Sequence, residues 1–489
     1  MARCCAGEIT YHLRVRVGPE SPSTATYFIL AGMRMTVIGT GYLGATHAAC
    51  MAELGHEVLG VDVDPAKIEA LSEGRVPFYE PGLPELLRKH VDSGAIRFTT
   101  DYDEAAGFAT LHFVGVGTPQ VKGSNAADVR YVDAVIDELA ARVTGDHVIL
   151  GKSTVPVGTA QRLQERADAI LAERAADAGN TGDAGDGAGP VATIDLAWNP
   201  EFLREGHAVK DTLEPDRMVL GLGEGSTRAE DAVRECFAPI LDRGTPMIVT
   251  DLPTSELVKV SANAFLATKI SFINAVSEIC ETTGADVTVL ADAIGMDPRI
   301  GRRFLNAGLG FGGGCLPKDI RAFMARAGEL GADQAMTFLR EVDAINMRRR
   351  EKCVGLVKDA FGGTALGRQV AVLGAAFKPN SDDVRDSPAL SIAGSLSLAG
   401  AAVRVYDPQA MDNARKIFPT LDYRDSAEDA LDGAEIVVVA TEWDEFRQLD
   451  PVAAGELVAD KKLIDGRNCL PVDQWRAAGW DVNCLGRGK

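Results

Sequence analysis

The segment Gly310–Asp319 combines a nucleophile with a permissive backbone. It reads GFGGGCLPKD, so Cys315 follows a run of glycines and stands at the start of a predicted helix. Glycines let backbone amides approach a ligand closely, and helix-start amides together with Lys318 are expected to lower the pKa of the thiol. Because thiolate is the reactive form, this pattern predicts a nucleophilic Cys315 rather than an inert buried thiol. The other eight cysteines lack such surroundings and are predicted to be structural.

Two further clusters carry groups suited to acid–base chemistry. Glu201 and Glu205 are spaced i, i+4 after a predicted strand, and a helical turn there would place both carboxylates on one face. Glu256, Lys259 and Asn263 are spaced i, i+3, i+7 on a long predicted helix. A solvated face is the simpler interpretation of that spacing. The apolar residues around it nevertheless predict a buried helix, on which Lys259 and Asn263 would stabilise an oxyanion.

A glycine loop near residue 40 has the full context of a dinucleotide site. The strand Met35–Ile38 leads into Gly39–Gly44 (GTGYLG), a helix follows, and the next strand ends at Asp62, 18 residues after the third glycine. The first glycine permits the tight turn, the second lets the backbone approach a pyrophosphate, and the third permits close helix packing. Asp62 suits ribose hydroxyls and favours NAD over NADP, although Lys67 nearby leaves NADP open.

The elements that position these residues predict an α/β protein of three parts. Strand-like runs alternate with helical stretches over residues 33–250, helical patterns fill 251–352, and a second α/β pattern occupies 353–489. Ligands of parallel sheets bind at the carboxyl ends of the strands, where Thr118 and Thr154 are expected to lie. We therefore predict two Rossmann-like, doubly wound domains joined by a central helical region.

Two segments are predicted to lie outside the packed parts. Residues 1–32 have no amphipathic period and only a short apolar patch, so we expect a disordered extension or an over-long start, with a secretory signal as the minor alternative. Residues 175–189 consist almost entirely of Ala, Gly, Asp, Asn and Thr. This composition cannot bury a core and predicts a flexible surface insertion.

The composition excludes several classes of protein. The chain has 489 residues, 46% of them hydrophobic, as soluble globular proteins do. A net charge of −20 argues against binding to nucleic acids and anionic membranes, and no apolar run reaches the ~20 residues of a transmembrane helix. The nine scattered cysteines show neither a disulfide framework nor a zinc pattern, so we predict a cytoplasmic protein without a metal site.

Taken in chain order, the motifs resemble those of the UDP-glucose/GDP-mannose dehydrogenase family of nucleotide-sugar dehydrogenases. The resemblance covers residues 33–470 and is carried by GxGYxG, VGTP, KSTVP, NPEFLREG, NAFLATKISF, GFGGGCLPKD, AFKPNSDDVRDSP, YDP and IDGRN. It implies two successive NAD-dependent oxidations that take the C6 alcohol of a nucleotide sugar through an aldehyde to a carboxylate. The aldehyde would be held on a cysteine as a thiohemiacetal, which the second oxidation converts to a thioester that water hydrolyses.

The resemblance also implies roles for individual residues. The catalytic set is Cys315 as the nucleophile, Lys259 and Asn263 for the oxyanion, Asp319 and Thr154 for a water, and Glu201 for thioester hydrolysis. The set implied for NAD is Gly39, Gly41, Tyr42, Leu43, Gly44, Asp62, Lys67, Thr118, Thr154, Glu205 and Arg385. The set implied for the UDP-sugar is Glu201, Phe202, Leu203, Lys259, Asn263, Arg299, Phe311, Gly312, Phe377, Lys378 and Arg467. In this family the counterpart of Arg299 reaches a neighbouring subunit's site, which implies a homodimer and makes the central helices a dimerisation region.

Three alternatives stay open. The motifs look most like those of the enzymes that oxidise UDP-glucose, but Leu316 stands where many of these carry an aromatic residue and is similar to the GDP-mannose branch. GDP-mannose or UDP-N-acetylmannosamine is therefore the alternative substrate. A two-electron hydroxyacid dehydrogenase also pairs a Rossmann domain with a helical one, but it has no use for Cys315. A non-catalytic nucleotide-sugar binder is disfavoured because every residue that the chemistry requires is present.

Overall fold

The computed structural model describes residues 32–180 and 192–487. The extension predicted over residues 1–32 lies outside the described residues except for Gly32. Within this part of the chain, no helix is both long and apolar enough to cross a membrane.

Eight strands form the N-terminal sheet. They are β1 (Arg34–Ile38), β2 (Glu57–Val61), β3 (Ile96–Thr99), β4 (Leu111–Val114), β5 (Asp146–Gly151), β6 (Thr193–Trp198), β7 (Met218–Leu222) and β8 (Met247–Asp251). Their order is β3-β2-β1-β4-β5-β6-β7-β8, and only the β6–β7 pair is antiparallel. After an exposed first residue, β1 and β2 are buried throughout, as expected of strands covered by helices on both faces. The first six strands have the order of a doubly wound dinucleotide-binding fold.

Nine helices accompany this sheet within the described residues. They are α1 (Tyr42–Glu53), α2 (Pro65–Ser72), α3 (Leu83–Asp92), α4 (Tyr102–Phe108), α5 (Arg130–Ala140), α6 (Thr159–Asn180), α7 (Ala208–Leu213), α8 (Arg228–Cys236) and α9 (Ala238–Leu241). Helix α6 continues to Asn180, so residues 175–180 are helical rather than the start of an irregular insertion, because their alanines favour a helix. The rest of the predicted insertion, residues 181–189, lies outside the described residues.

The central part is built on four α-helices. They are α10 (Leu252–Thr283), α11 (Val287–Gly295), α12 (Leu316–Glu329) and α13 (Phe338–Asp359), with a short 3-10 helix at Asp333–Met336. The side chain of Asp251 caps α10 by accepting a hydrogen bond from the backbone N–H of Thr254, and Gly284 ends the helix in the left-handed conformation. Phe311 packs among apolar side chains of α10, α12 and α13 in the core of this part.

Helix α13 belongs to two cores at once. Near its start, Leu339 and Val342 pack into the central core, and farther along, Cys353 and Val357 pack into the C-terminal core. The predicted boundary between residues 352 and 353 therefore falls inside one continuous helix. The spacing of apolar residues along a helix shows which face is buried but not which core each turn joins. The sequence therefore could not locate the junction between the central and C-terminal parts.

Six strands form the C-terminal sheet. They are β9 (Gln369–Leu373), β10 (Ala402–Tyr406), β11 (Asp422–Tyr423), β12 (Ile436–Val439), β13 (Lys462–Asp465) and β14 (Asp481–Cys484). The accompanying helices are α14 (Pro388–Leu398), α15 (Met411–Ile417), α16 (Ala427–Leu431), α17 (Asp444–Arg447), α18 (Pro451–Leu457) and α19 (Val472–Ala477). The order is β11-β10-β9-β12-β13-β14 and every pair is parallel, which again gives the doubly wound order. The predicted fold class, two Rossmann-like units joined by helices, is confirmed.

Candidate functional site

The three parts meet at a cleft around Cys315. The glycine-rich segment before α12 supplies the cysteine, α10 supplies Lys259 and Asn263, and the segment after β6 supplies Glu201. As predicted, Cys315 stands at the N-cap of a helix, and its side chain reaches solvent.

The thiol of Cys315 lies in an electrostatic environment different from the predicted one. Although it reaches solvent, the surrounding protein displaces most of the bulk water. This desolvation, followed by the charge of Glu201, raises the pKa of the thiol to about 11, and Lys259 only partly opposes them. The prediction of a lowered thiol pKa is therefore wrong. Lys318 pairs with Asp319 instead, with 2.8 Å between Nζ and Oδ1.

Lys259 and Glu201 form a buried ion pair beside the cysteine. Lys259 Nζ lies 2.7 Å from Glu201 Oε1, and the lysine side chain is 6% exposed. Burial lowers the pKa of Lys259, but Glu201, Cys315 and Asp319 outweigh it, so the net pKa is raised and the ammonium stays charged. Glu201 Oε2 also accepts a hydrogen bond from the backbone N–H of Leu203 at 2.6 Å. Both carboxylate oxygens of Glu201 are thus fixed.

Asn263 and Asp319 form a second buried pair in the same cleft. Asn263 Nδ2 donates to Asp319 Oδ2 at 2.6 Å, and Asp319 is 1% exposed. Thr154 and Asp319 both line a cavity of about 20 Å³, which is large enough for a single water molecule. The structure therefore brings together all six residues of the predicted catalytic set.

Glu201 and Glu205 do not share a helical face. The chain between them is irregular, because Pro200 lacks an amide donor and the Glu201 carboxylate binds a backbone N–H within its own turn. The prediction of a helical turn is wrong, and the two carboxylates contact different groups.

Glu205 faces the loop between β9 and α14. It accepts hydrogen bonds from Ser381 Oγ at 3.0 Å and Arg385 Nη2 at 3.3 Å, and its backbone carbonyl accepts one from Lys378 Nζ at 2.8 Å. Burial and the charge of Asp383 raise the pKa of Glu205, Arg385 and Lys378 oppose them, and the net pKa is about 7. Glu205 therefore joins the N-terminal and C-terminal parts.

The glycine loop before α1 has the geometry that a dinucleotide requires. Gly39 is in the left-handed region at φ 89°, and a Cβ on Gly44 would overlap the carbonyl oxygen of Gly39. A Cβ on Gly41 would meet no atom within 4 Å, so this face of the loop is open to a ligand. No side chain caps the start of α1, and its free N–H groups suit a pyrophosphate.

Asp62 lies beside this loop at the end of β2. Its Oδ2 accepts hydrogen bonds from the backbone N–H of Thr40 at 2.8 Å and from Lys67 Nζ at 2.7 Å. Burial acts to raise the pKa of Asp62, but these hydrogen bonds outweigh it and lower the pKa, so the carboxylate is ionised. Asp62 thereby holds the ammonium of Lys67. At the ends of the neighbouring strands, Thr118 Oγ1 donates to the carbonyl of Thr154 at 2.7 Å. The residues present fit a bound NAD.

Tyr42, from the predicted NAD set, is held by a carboxylate that sequence reasoning missed. Its hydroxyl donates to Glu80, and Glu80 also accepts the backbone N–H groups of Gly206 at 2.6 Å and Ala208 at 2.8 Å. Leu43 is half-buried in the same helical turn. Glu80 therefore fastens the dinucleotide loop to the segment that carries Glu205, and no spacing in the sequence marks it.

The predicted sugar-binding residues Phe202 and Phe311 have different surroundings. Phe202 lies under a cation, with the Arg217 guanidinium carbon 3.9 Å from its ring centroid. Phe311 is different, because its ring is buried in the central core while Asn346 and Arg350 bind its carbonyl at 2.9 and 3.0 Å. The backbone N–H of Phe311 also donates to Asn346 Oδ1 at 2.7 Å, so both its ring and its backbone are held by the central part.

The C-terminal residues Phe377 and Arg467 close the cleft from the other side. The Phe377 ring packs on Gly313, and a Cβ on Gly312 would overlap the carbonyl oxygen of Asp386. Arg467 donates to the carbonyls of Ala440, Gly310 and Phe377 at 2.8, 2.9 and 3.2 Å. It also lines a cavity of about 350 Å³ whose other lining residues include Arg302, Asn306, Glu442, Arg447 and Asn468.

Arg299, from the predicted sugar-binding set, lies at the surface of the single chain. Its side chain is 88% exposed and pairs with Asp297 at 2.6 Å. Among the described residues, no group of three or more His, Cys, Asp or Glu side chains is placed to hold a metal ion.

Comparison with protein families gives a match to each of the three parts of the chain. Residues 33–241 match the NAD binding domain of the UDP-glucose/GDP-mannose dehydrogenase family, 253–348 its central domain, and 371–472 its UDP binding domain. The UDP-glucose 6-dehydrogenase of Rhizobium meliloti is 40% identical over 93% of this chain and 100% of its own length. The enzyme of the same name from Haloferax volcanii is 39% identical over 93% and 100%.

Solved structures agree with the sequence comparisons. A UDP-glucose dehydrogenase from Pyrobaculum islandicum superposes with a TM-score of 0.82 at 36% identity, covering 94% of this chain and 99% of that one. A UDP-D-ManNAc dehydrogenase from Pyrococcus horikoshii superposes with a TM-score of 0.77 at 25% identity, covering 93% and 99%.

Proposed function

Because this chain belongs to the UDP-glucose/GDP-mannose dehydrogenase family of NAD-dependent oxidoreductases, we propose that it oxidises UDP-glucose to UDP-glucuronate in two NAD-dependent steps. The named relatives at about 40% identity support UDP-glucose as the substrate. The observation that carries the chemistry is the position of Cys315 in the cleft, next to the Lys259–Glu201 and Asn263–Asp319 pairs.

Cys315 is the nucleophile that holds the intermediate. NAD, when bound, accepts the hydride in each of the two oxidations. The Sγ atom attacks the C6 aldehyde, forming a carbon–sulfur bond while the carbonyl oxygen gains negative charge. Because the resting thiol is protonated, its proton must leave as the sulfur attacks, and the oxygen of the thiohemiacetal is the final acceptor.

Lys259 and Asn263 stabilise the charge that develops on the C6 oxygen. Both project from α10 into the cleft, and each is already oriented by a carboxylate partner, Glu201 or Asp319. A charged ammonium and a fixed amide that need no reorganisation during the reaction are an effective oxyanion site.

Glu201 assists hydrolysis of the thioester, and Asp319 and Thr154 hold a water that takes part in proton transfer. The Glu201 carboxylate is fixed by Lys259 and by the backbone of Leu203, so it is oriented to accept a proton from an attacking water. The cavity of about 20 Å³ lined by Thr154 and Asp319 has space for one water molecule, which would take up the proton of the C6 hydroxyl as the hydride leaves. Water attack breaks the carbon–sulfur bond and returns the thiol of Cys315.

The cavity of about 350 Å³ near Arg467 is the proposed site of the nucleoside diphosphate. Arg467 links its wall to the carbonyl of Gly310, at the start of the segment that carries Cys315. Arg302, Arg447 and Arg467 supply positive charge for a diphosphate on a protein with a net charge of −20. Lys378 and Phe377 lie between this cavity and Glu205.

The central helices are the proposed dimer interface. Phe265, Phe272 and Ile279 recur every seven residues on α10 and are 66%, 53% and 62% exposed, so they form one apolar stripe. A second copy covering this stripe would bring its Arg299 towards the first copy's cleft. The domains 33–250, 251–352 and 353–489 would then act as cofactor-binding, dimerising and UDP-binding parts.

The chain is proposed to act in the cytoplasm. All seven cysteines of the described residues are free, and five of them are buried. Unpaired thiols throughout the structure suit a reducing compartment.

Product and stoichiometry test the proposed function. The purified enzyme is expected to release about two NADH and one UDP-glucuronate per UDP-glucose. Cys315→Ser is expected to abolish formation of the acid, whereas Cys280→Ser, a buried thiol away from the cleft, leaves it intact. One NADH per sugar, or a clear preference for GDP-mannose or UDP-N-acetylmannosamine over UDP-glucose, would contradict the proposal.

Mixing inactive variants tests the role of Arg299 in the dimer. If Arg299 acts in its partner's site, Arg299→Ala and Cys315→Ser chains are each inactive alone. After subunit exchange, about a quarter of all sites regain both residues, because each mixed dimer restores one of its two sites. Mixtures that stay inactive although light scattering shows mixed dimers would place Arg299 outside the partner's site.

A further inference from the structure

Lys152 is a buried ammonium that the proposed mechanism does not use. It follows β5 directly, in the KSTVP motif, and only 8% of it is exposed. Within the described residues, no carboxylate lies at ion-pair distance from it, and its hydrogen bonds go to Asn199, at 2.8 Å to Oδ1 and 3.5 Å to the backbone oxygen. A buried charge without an ion partner is costly, so its retention next to a reaction cleft points to a function.

The contacts of Lys152 fix the turn that carries Glu201. Asn199 is held on three sides, since its N–H donates to Gly151 at 2.8 Å, its Nδ2 donates to Val219 at 2.8 Å, and its Oδ1 accepts from Lys152. Only Pro200, with its restricted φ, separates Asn199 from Glu201. Lys152 therefore sets where the Glu201 backbone leaves the sheet.

The charges around Lys152 come from four other elements. His47 on α1 is neutral because burial lowers its pKa well below the usual range, and Cys236 on α8 stays protonated because burial raises its pKa. Burial likewise lowers the pKa of Lys152, to about 8, with Lys259 on α10 lowering it and Glu201 after β6 raising it. Two ammonium groups, Lys152 and Lys259, thus act on the one Glu201 carboxylate.

We propose that Lys152 is a positioning residue for Glu201, holding the Asn199–Glu201 turn and adding a second positive charge behind the carboxylate. The proposal rests on the proposed function, because it assigns Lys152 to the thioester hydrolysis that Glu201 assists. Lys152 makes no hydrogen bond to Cys315, so its effect reaches the reaction through Glu201 and is expected to be largest in the thioester hydrolysis.

The test uses the full-length enzyme with UDP-glucose and NAD, comparing Lys152→Met, Lys152→Gln and wild type across the pH range. At about pH 7, Lys152→Met is expected to lower kcat about 10- to 100-fold, as a small misplacement of a reacting group does, with KM for UDP-glucose nearly unchanged. The covalent Cys315 adduct is expected to accumulate in mass spectra. Lys152→Gln retains a donor to Asn199 without the charge, so it is expected to fall between Met and wild type.

The pH dependence of kcat distinguishes a role of the Lys152 charge from a purely structural role, which would not change it. Wild-type Lys152 loses its charge above about pH 8, but the neutral amine still donates to Asn199, as the amide of Lys152→Gln does. The ratio of wild-type to Lys152→Gln kcat is therefore expected to shrink towards one by about pH 9.5. Phe113→Leu is the matched control, because the ring lies 5.9 Å from Lys152 Nζ in the same core. It is expected to lower the Tm without changing the pH profile.

Several results would overturn the proposal. Wild-type kcat and pH profile in Lys152→Met would do so, and so would a loss in Lys152→Gln that is constant at every pH. If Lys152→Met does not fold, the wild-type adduct is measured alone, and an adduct level that does not rise between about pH 7 and 9 is incompatible with the proposal. Failure of the proposed function is separate, because it shows in the wild type as a stoichiometry other than two NADH per sugar.

Discussion

The first six strands of the N-terminal sheet have the same order as the six strands of the C-terminal sheet, and the turn after the first strand has the same geometry in both. Gly39 N donates to Val61 across the first sheet, and Gly374 N donates to Tyr406 across the second, both at 2.7 Å. Both glycines have positive φ, 89° and 118°. In each sheet a carboxylate at the end of the second strand, Asp62 or Asp407, then binds the backbone of that turn.

The two sheets differ in the segment that comes after this turn. In the first, α1 begins two residues after Thr40 and presents free N–H groups, while in the second no helix begins until Pro388. Asp407 is 1% exposed, and its carboxylate is occupied by Trp443 Nε1 at 3.0 Å and by several backbone N–H groups. The first sheet thus offers free helix-start N–H groups beside its acid, whereas the acid of the second sheet is occupied by the protein's own indole and backbone N–H groups.

The largest expected effect is on the stability of the protein, which we expect to depend on Asp407 more than on Asp62. Asp407→Ala would leave a buried indole N–H and several backbone N–H groups without an acceptor, and we expect it to lower the free energy of unfolding by about 3–5 kcal/mol. The Kd for NAD is expected to stay unchanged in the folded fraction. Thermal denaturation and NAD titration measure both, and a selective loss of NAD binding would remove the distinction between the sheets.

The next effect concerns the open face of Gly41. No atom lies within 4 Å of a Cβ added there, so Gly41→Val is expected to fold normally but to obstruct the pyrophosphate, raising the Kd for NAD about 10- to 100-fold. Gly328→Ala on α12, where an added Cβ is equally free, is the matched control and is expected to bind NAD like the wild type. Tight NAD binding by Gly41→Val would place the dinucleotide elsewhere.

A smaller effect is expected on the choice between NAD and NADP. Asp62→Ala removes the carboxylate that accepts ribose hydroxyls and frees Lys67 to meet a 2′-phosphate. We expect the preference for NAD to fall by about tenfold or more, since one hydrogen bond to a charged group contributes about 1.5–3 kcal/mol. The ratio of kcat/KM for the two cofactors measures this, and Asp407→Asn provides the comparison at the second sheet. An unaltered ratio would contradict the assignment of Asp62.

The smallest effect lies where the two regions meet, at Glu205. Because its pKa is raised to about 7 in the folded protein, the fold favours the protonated form, and that stabilisation is lost as pH rises from about 4.5 through 7. Glu205→Gln is expected to match the wild type near pH 5 and to exceed its free energy of unfolding by about 1–2 kcal/mol near pH 8. Urea unfolding at the two pH values tests the sign, and an equal difference at both would contradict it.

The sequence predicted those parts of the molecule that depend on local chemistry. The turn at Gly39–Gly44 and the cysteine at a helix start follow from short-range steric and hydrogen-bonding rules, and both are confirmed. The predicted lowering of the Cys315 thiol pKa is wrong because the pKa depends on burial and on Glu201, and both arise from segments distant in the chain. Glu80 was missed for the same reason, since its three partners lie far from it in the chain.

The ring of Phe311 shows the limit within a correctly identified motif. The motif placed the residue beside the reacting cysteine, yet it did not reveal which way the side chain turns. Packing against α10, α12 and α13 determines that direction, and it buries the ring while Asn346 on α13 binds the backbone. A motif therefore locates a segment more reliably than it assigns the task of each side chain.

Helix α13 links the central and C-terminal parts rigidly because its two halves pack into different cores. Its Cys353 and Val357 move with the C-terminal sheet, while its Asn346 binds both backbone groups of Phe311, at 2.7 and 2.9 Å. A tilt of that sheet must turn the helix and so pull on the run of glycines leading to Cys315. The C-terminal core and the run of glycines before Cys315 are thus coupled through a single helix.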